Sequence, residues 1–193
     1  FVRAGHGFVV FPGGVGTAEE ILYLLGILLH PDNRQVPFPL VFTGPPESED
    51  YFKRIDEFIG ETLGYEARQC YRVIIGDPRA VACELKEGME EVRQYRLAHK
   101  DAYYYNWLLH IEGEFQEPFS ATHENMASLE LSRDLPAHQL AANLRRAFSG
   151  IVAGNVKEEG IRAIQERGLF EIHGEPEVMR LLDGLLESFA AQQ

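Results

Sequence analysis

The sequence predicts an α/β fold: a parallel sheet with right-handed crossovers, followed by a mainly helical C-terminal region. Short apolar, β-rich runs alternate with amphipathic helical patterns three times between Gly7 and Arg96. A glycine-rich loop joins the first run to the first helical pattern. After about Lys100 the alternation stops, and helical patterns dominate the remainder. Successive strand–loop–helix units imply parallel strands with right-handed crossovers.

The elements follow in order. Gly7 to Phe11 (GFVVF) is rich in β-formers and bounded by Gly5 and Pro12-Gly13-Gly14, so it reads as a buried parallel strand. A helix is expected from about Thr17 to Leu29, with Thr17 as N-cap, Glu20 at the third position, and Ile21, Leu24, Leu25 and Leu28 as its apolar stripe. Leu40 to Thr43 (LVFT) is the second strand. Tyr51 to about Leu63 is an amphipathic helix with Phe52, Ile55, Phe58 and Ile59 inward. Tyr71 to Ile75 (YRVII) is the third strand, and Pro78 to Arg96 the third helix. From Asp101 to Leu135 the chain is aromatic and irregular. Helical patterns resume at about Pro136–Ser149, Val156–Gly168 and Glu175–Ala191. We therefore divide the chain at residue 100 into 1–100 and 101–193. Its first recognisable element is a buried strand, which needs neighbours on both sides in such a sheet. An N-terminal part of the α/β domain is expected to lie outside this chain.

Composition narrows the class. The 193 residues are 45% hydrophobic and 25% charged, ordinary for a globular protein. A net charge of -12 argues against nucleic acid and anionic membrane as partners. A small anion bound by local backbone donors remains compatible with it. The longest apolar run, Ile21 to Leu29, is too short to span a bilayer. Cys70 and Cys83 have no metal-ligand spacing and read as reduced packing residues. No signal-peptide pattern is visible, and the expected location is cytoplasmic.

The segment that carries chemistry is Phe11-Pro12-Gly13-Gly14-Val15-Gly16-Thr17-Ala18-Glu19-Glu20. It lies between a strand and a helix N-terminus, where ligands bind open α/β sheets. Its glycines let backbone approach an anion and aim N–H groups at it, and the helix terminus adds partial positive charge. Gly16-Thr17 lacks the lysine of a nucleoside triphosphate loop, and the dinucleotide fingerprint fails because its last position falls on Glu19. A single phosphate on a small ligand fits better. Glu19 and Glu20 then stand beside that anion, a costly placement unless a hydroxylated spacer such as a ribose lies between. Cleaving a glycosidic bond builds positive charge on the sugar ring. One carboxylate about 4 Å from that charge could contribute on the order of 4 kcal/mol at an effective dielectric near 20. The residues alone leave a second reading open, in which both glutamates only complement the helix dipole, worth about 0.3–1 kcal/mol, with Thr17 and Glu20 as a capping box.

PGGVGTAEE resembles the PGGxGTxxE motif of the LOG (Lonely guy) proteins, phosphoribohydrolases once mistaken for lysine decarboxylases. FVRAGHGFVVFPGGVGTAEEILYLLGILLHP, DAYYYNWLLHIEG, PFSATHENMASLEL and LRRAFSGIVAGNVKEEGIRAI are similar to one branch, the bacterial pyrimidine/purine nucleotide 5'-monophosphate nucleosidases. The resemblance implies a Rossmann-like catalytic domain, of which residues 1–100 are the C-terminal half, and a family-specific helical region over 101–193. It implies hydrolysis of nucleoside monophosphates to free base and ribose 5-phosphate without a metal or other cofactor. It also implies a homo-oligomer (dimer or tetramer) and guanosine tetra- or pentaphosphate, (p)ppGpp, as allosteric effector. Gly13, Gly14, Gly16 and Thr17 fall on its phosphate loop, and Glu20 on its catalytic glutamate. Glu19 and Arg3 are secondary candidates. The family pairs the glutamate with an arginine before the strand; Arg3 lies near that point, and the matching arginine is expected before residue 1. The reading from a different class is a non-catalytic nucleotide sensor using the same loop.

The remaining polar residues divide between structural and functional readings. The histidines show no metal-ligand spacing. His123-Glu124-Asn125 reads as hydrogen bonding that orders an irregular segment, with a pocket or subunit contact as the alternative. Tyr103, Tyr104, Tyr105 and Trp107 read as core or interface, with base stacking as the alternative. Arg145, Arg146, Lys157 and Arg162 read as a solvated face, the alternative being an effector-phosphate or subunit contact.

Overall fold

The computed structural model describes residues 1–102 and 104–191. Its sheet has three parallel strands in the order β1 (Phe8–Val10), β2 (Leu40–Gly44), β3 (Arg72–Ile75). Val9 lies opposite Val41, and Phe42 opposite Val73. Only β2 is buried along most of its length, from Leu40 to Thr43. The expectation of a buried first strand does not hold for this chain. Among the described residues β1 forms one edge of the sheet, so it is covered on fewer sides and half-buried. On the other edge, β3 exposes Arg72 and Val73.

Nine helices flank or extend this sheet among the described residues: α1 (Val15–Leu28), α2 (Glu49–Leu63), α3 (Tyr65–Arg68), α4 (Pro78–Ala98), α5 (Gly113–Gln116), α6 (His123–Ala127), α7 (Ala137–Val156), α8 (Glu158–Arg167) and α9 (Pro176–Ala190). Helix α4 packs on β2 and β3, α1 lies along α7, and α2 contacts α7 and α9. The C-terminal helices thus share one core with the α/β part. Leu22 and Leu25 of α1, Phe52 and Ile59 of α2, Leu140 and Phe148 of α7 and Phe189 of α9 belong to a single buried cluster. Phe42 stacks on Tyr71 at 4.3 Å and on Phe52 at 5.7 Å, joining the sheet to α2. Each such side chain contributes about 1.5–3 kcal/mol on burial. Among the described residues no helix is long and apolar enough to cross a membrane.

Several boundaries differ from expectation for physical reasons. Helix α2 starts at Glu49, behind a 3-10 turn over Pro46–Ser48 that fixes its approach. Gly64 and Gly168 end α2 and α8 with φ of 85° and 88°, the left-handed conformation that favours glycine. Helix α7 runs past Ser149 to Val156, although Gly150 and Gly154 suggest an end there. These glycines serve packing instead: a Cβ at Gly150 would collide with Met126, and one at Gly154 would press on Ile164. The irregular stretch before α7 holds the short helices α5 and α6. Cys70 sits at the edge of the core, where burial first and Glu66 second push its thiol up to about 11. Cys83 is exposed rather than packed.

Helices α7 and α8 cross at close range. A Cβ at Gly160 would meet the Ala153 carbonyl and the Gly154 amide, which are backbone and cannot turn aside. Gly160→Ala should therefore destabilise the fold by about 1–3 kcal/mol, read as a lower midpoint in thermal or urea unfolding. An unchanged midpoint would contradict this packing.

Candidate active site

The chain leaves β1 at Val10 and enters α1 at Val15 through Phe11–Gly14. Gly14, in extended conformation, is the N-cap, and the Thr17 and Ala18 amides return to its carbonyl at 3.0 and 3.3 Å. Thr17 is therefore inside the first turn and caps nothing, so Thr17 and Glu20 form no capping box. Glycine at the cap offers no side-chain acceptor to the first-turn amides. Among the described residues no group accepts from the amides of Gly14, Val15 or Gly16. The Gly13 amide lies near the Tyr51 hydroxyl. Burial raises the Tyr51 pKa and this amide partly opposes the rise, although the hydroxyl has no partner in hydrogen-bond geometry.

The glycines of this loop all have φ outside the left-handed region, so backbone conformation does not explain them. A Cβ on Gly14 or Gly16 would meet no heavy atom within 4 Å. What a side chain would fill at both positions is open space before the uncapped helix end. A Cβ on Gly13 would instead strike the Thr17 hydroxyl.

That space belongs to a cavity of about 680 Å³. Gly14, Gly16, Thr17, Glu19, Glu20 and Tyr23 form its α1 wall. Phe1, Phe115 to Pro118 and Arg145 of α7 line the rest of it. Glu20 is exposed at the mouth. Glu19 is mostly covered and lies 3.8 Å from the Arg145 guanidinium. That guanidinium also sits over the Tyr23 ring at 5.2 Å. Tyr23 donates its hydroxyl proton to the Phe115 carbonyl at 3.2 Å. Burial raises the Tyr23 pKa, and Arg145 and then Arg3 oppose the rise.

The fold thus brings Gly14, Gly16, Thr17, Glu19 and Glu20 to one cavity, but not Gly13 or Arg3. Arg3 donates to the carbonyls of Asn106 and Leu109 at 2.5 and 2.6 Å and lies over the Trp107 ring at 5.8 Å. With the Asn106 amide donating to the Val2 and Gly5 carbonyls, it fastens the first residues to the 106–109 segment. Tyr23 and Arg145 are the site residues that sequence reading missed or misplaced. Arg145 does not belong to the solvated face expected for it, because its side chain is only 15% exposed. Tyr23 sits one turn beyond Glu19, a helical spacing that could have flagged it.

A second polar cluster lies at the far end of α1, about 20 Å along the helix from the loop at 1.5 Å per residue. His30, Asp32 and His110, and His30, Glu112 and His138, each bring ligand-type atoms within 4.8 Å of one another. Such groups are of metal-binding type, and chain spacing could not reveal them because they come from separate segments. His30 accepts the Asp32 amide at Nδ1, capping the turn at Pro31–Asn33, and its Nε2 faces Glu112 at 3.5 Å.

The other sequence readings resolve individually. His123 contacts the Gly168 carbonyl at 2.9 Å, Glu124 pairs with Arg167 at 2.7 Å, and Asn125 donates to Ser120, so this triplet ties α6 to the end of α8. Hydrogen bonding from Arg167 is the main force holding the Glu124 carboxyl down to about 2. Tyr104, Tyr105 and Trp107 are exposed and belong neither to the core nor to the loop cavity. Tyr103 lies outside the described residues. Arg146 donates to Asn143, Arg162 pairs with Glu158 at 2.8 Å, and Lys157 is exposed.

Comparison with known proteins adds a family context to this geometry. Residues 89–193 match the family model described as pyrimidine/purine nucleotide monophosphate nucleosidase, C-terminal. Residues 1–85 match the model described as possible lysine decarboxylase. Curated pyrimidine/purine nucleotide 5'-monophosphate nucleosidases from Escherichia coli strain K12 and from Escherichia coli O157:H7 are 56% identical over 192 residues. Those alignments cover 100% of this chain and 42% of each relative, so the chain spans less than half the length of the proteins it matches.

The open space before the helix end generates a test. Gly16→Ala should leave thermal stability unchanged or raise it by up to about 1 kcal/mol, because alanine favours a helix over glycine. It should weaken binding of ribose 5-phosphate by about tenfold or more, about 1.4 kcal/mol, read by calorimetry. Loss of stability without loss of binding would contradict the reading.

Proposed function

Because this chain belongs to the pyrimidine/purine nucleotide monophosphate nucleosidase family, we propose that its loop and first helix form the phosphate- and sugar-facing part of a site that hydrolyses the N-glycosidic bond of nucleoside 5'-monophosphates. The products are free base and ribose 5-phosphate. The observation that carries this reading is the N-terminus of α1, whose Gly14, Val15 and Gly16 amides have no acceptor among the described residues, with open space at Gly14 and Gly16 on the same cavity as Glu20.

In this reading the phosphate docks on the first-turn amides, where the positive end of the helix favours an anion. Gly13, Gly14 and Gly16 shape the loop for its close approach, and Thr17 offers a hydroxyl beside it. The ribose then extends from the phosphate toward Glu20. As the bond to the base breaks, positive charge grows on the ring carbon and oxygen, and the Glu20 carboxylate stabilises it more in the transition state than in the ground state. Water adds to the ring carbon, its proton leaves, and the base departs with the bonding electrons after taking up a proton. We assign Glu20 the catalytic role and Glu19 a supporting one. Arg3 acts at a distance, by fixing the segment that carries Phe1. The family resemblance also supports a cytoplasmic homo-oligomer modulated by guanosine tetra- or pentaphosphate.

Glu20→Gln keeps the shape of the side chain and removes its charge. It should lower kcat for nucleoside monophosphate hydrolysis by about 10²-fold or more without changing the unfolding midpoint. Normal turnover by this variant would overturn the catalytic assignment. Mononucleotide binding with no release of base by the unmodified protein would point to a sensor instead.

A further inference from the structure

We propose that Arg145 is a positioning residue for the loop site: it pairs with Glu19 so that a bound phosphate meets one uncompensated carboxylate, Glu20, instead of two. This rests on the phosphate-loop reading above and extends it to the C-terminal helices.

Glu19 and Glu20 are consecutive residues in the first turns of α1, and both line the cavity with Gly14 and Gly16. A carboxylate beside a phosphate repels it, and a few ångströms from low-dielectric walls such repulsion costs about tenfold or more in affinity. Glu20 is exposed at the mouth, where water screens it and a sugar can lie against it. Glu19 is different, with a side chain only 21% exposed, so screening by water is weak.

The countercharge comes from another region of the chain. Helix α7 lies along α1 and delivers Arg145 to its first turn. The guanidinium is held on three sides: by Glu19 at 3.8 Å, by the face of Tyr23 at 5.2 Å, and by the surrounding cavity wall that leaves it 15% exposed. Its Nε has no hydrogen-bond partner among the described residues, so the contact with Glu19 is an ion pair set by packing and charge. Tyr23 is itself tied to the Phe115 carbonyl, which completes a linkage from α7 through α1 to α5. Truncating a mostly buried ion-pair partner leaves the other charge uncompensated. At this site the uncompensated charge would be negative and would face the ligand.

The test is a double-mutant cycle in the intact protein, with ribose 5-phosphate binding read by calorimetry and turnover by release of base. Arg145→Met should weaken ribose 5-phosphate by about tenfold or more. In turnover the loss should fall on KM, with kcat changed less than about threefold. Glu19→Gln, which leaves the guanidinium unbalanced, should tighten binding severalfold. Arg145→Lys keeps the charge and should bind within about threefold of the unmodified protein. The double variant Arg145→Met with Glu19→Gln should recover most of the lost affinity, because no unpaired buried carboxylate remains. A double variant as weak as Arg145→Met alone would overturn the inference and make Arg145 a direct ligand contact. Weaker binding by Glu19→Gln would overturn it too, and does not depend on how Arg145→Met folds. Failure of the unmodified protein to bind ribose 5-phosphate would remove the loop reading itself, and this inference with it.

Discussion

Among the described residues the amides at the start of α1 have no acceptor, and the proposed site depends on that helix end. Every α-helix begins with donors that its own carbonyls cannot reach, and most proteins satisfy them with a serine, threonine, aspartate or asparagine cap. Here the cap is Gly14, with no side-chain cap hydrogen bond, and Thr17 lies inside the first turn. Gly14 and Gly16 keep the space ahead of the helix open. A helix end left in this state favours an anion both by hydrogen bonding and by its dipole. In the proposed reading the glutamates behind it face whatever that anion carries.

Such an end must be held firmly to be useful, because an uncapped first turn frays. The grip on α1 comes mainly from outside the sheet. Residues Ile21 to Leu28 are apolar apart from Tyr23, and most of that run is buried against α7 and the neighbouring helices. The C-terminal region is therefore part of the support for the loop, and Phe115 and Arg145 bring it into the cavity itself. The same arrangement explains why α7 is long and carries glycines in its second half. It passes Met126, Ile164 and α8 at close range while lying along α1.

Much of this was legible in the sequence. The alternation of β-rich and amphipathic runs located all three strands and their helices, because burial on one helical face imposes a period that survives in a single sequence. The loop was legible for a different reason: glycines between a strand and a helix point to close backbone approach. Its register was not. Thr17 is a better cap than Gly14 by propensity, but the loop geometry places the cap three residues earlier. Gly150 looks like a helix stop by propensity, and packing against Met126 overrides that. The pairing of Glu19 with Arg145 and the gathering of His30, His110 and His138 depend on tertiary contacts between distant segments. No local pattern encodes them. Tyr104 and Trp107 are exposed, which removes the core half of their reading, because aromatic content alone does not say which way a side chain faces.

The central claim is that the first-turn amides of α1 take the phosphate. The most direct measurement is a titration of isotope-labelled protein with ribose 5-phosphate, followed by amide nuclear magnetic resonance. The account predicts that the Gly14, Val15 and Gly16 amide resonances move furthest and saturate together, as expected for donors that gain an acceptor on binding. Saturable binding that leaves these three resonances in place while amides elsewhere shift would contradict it.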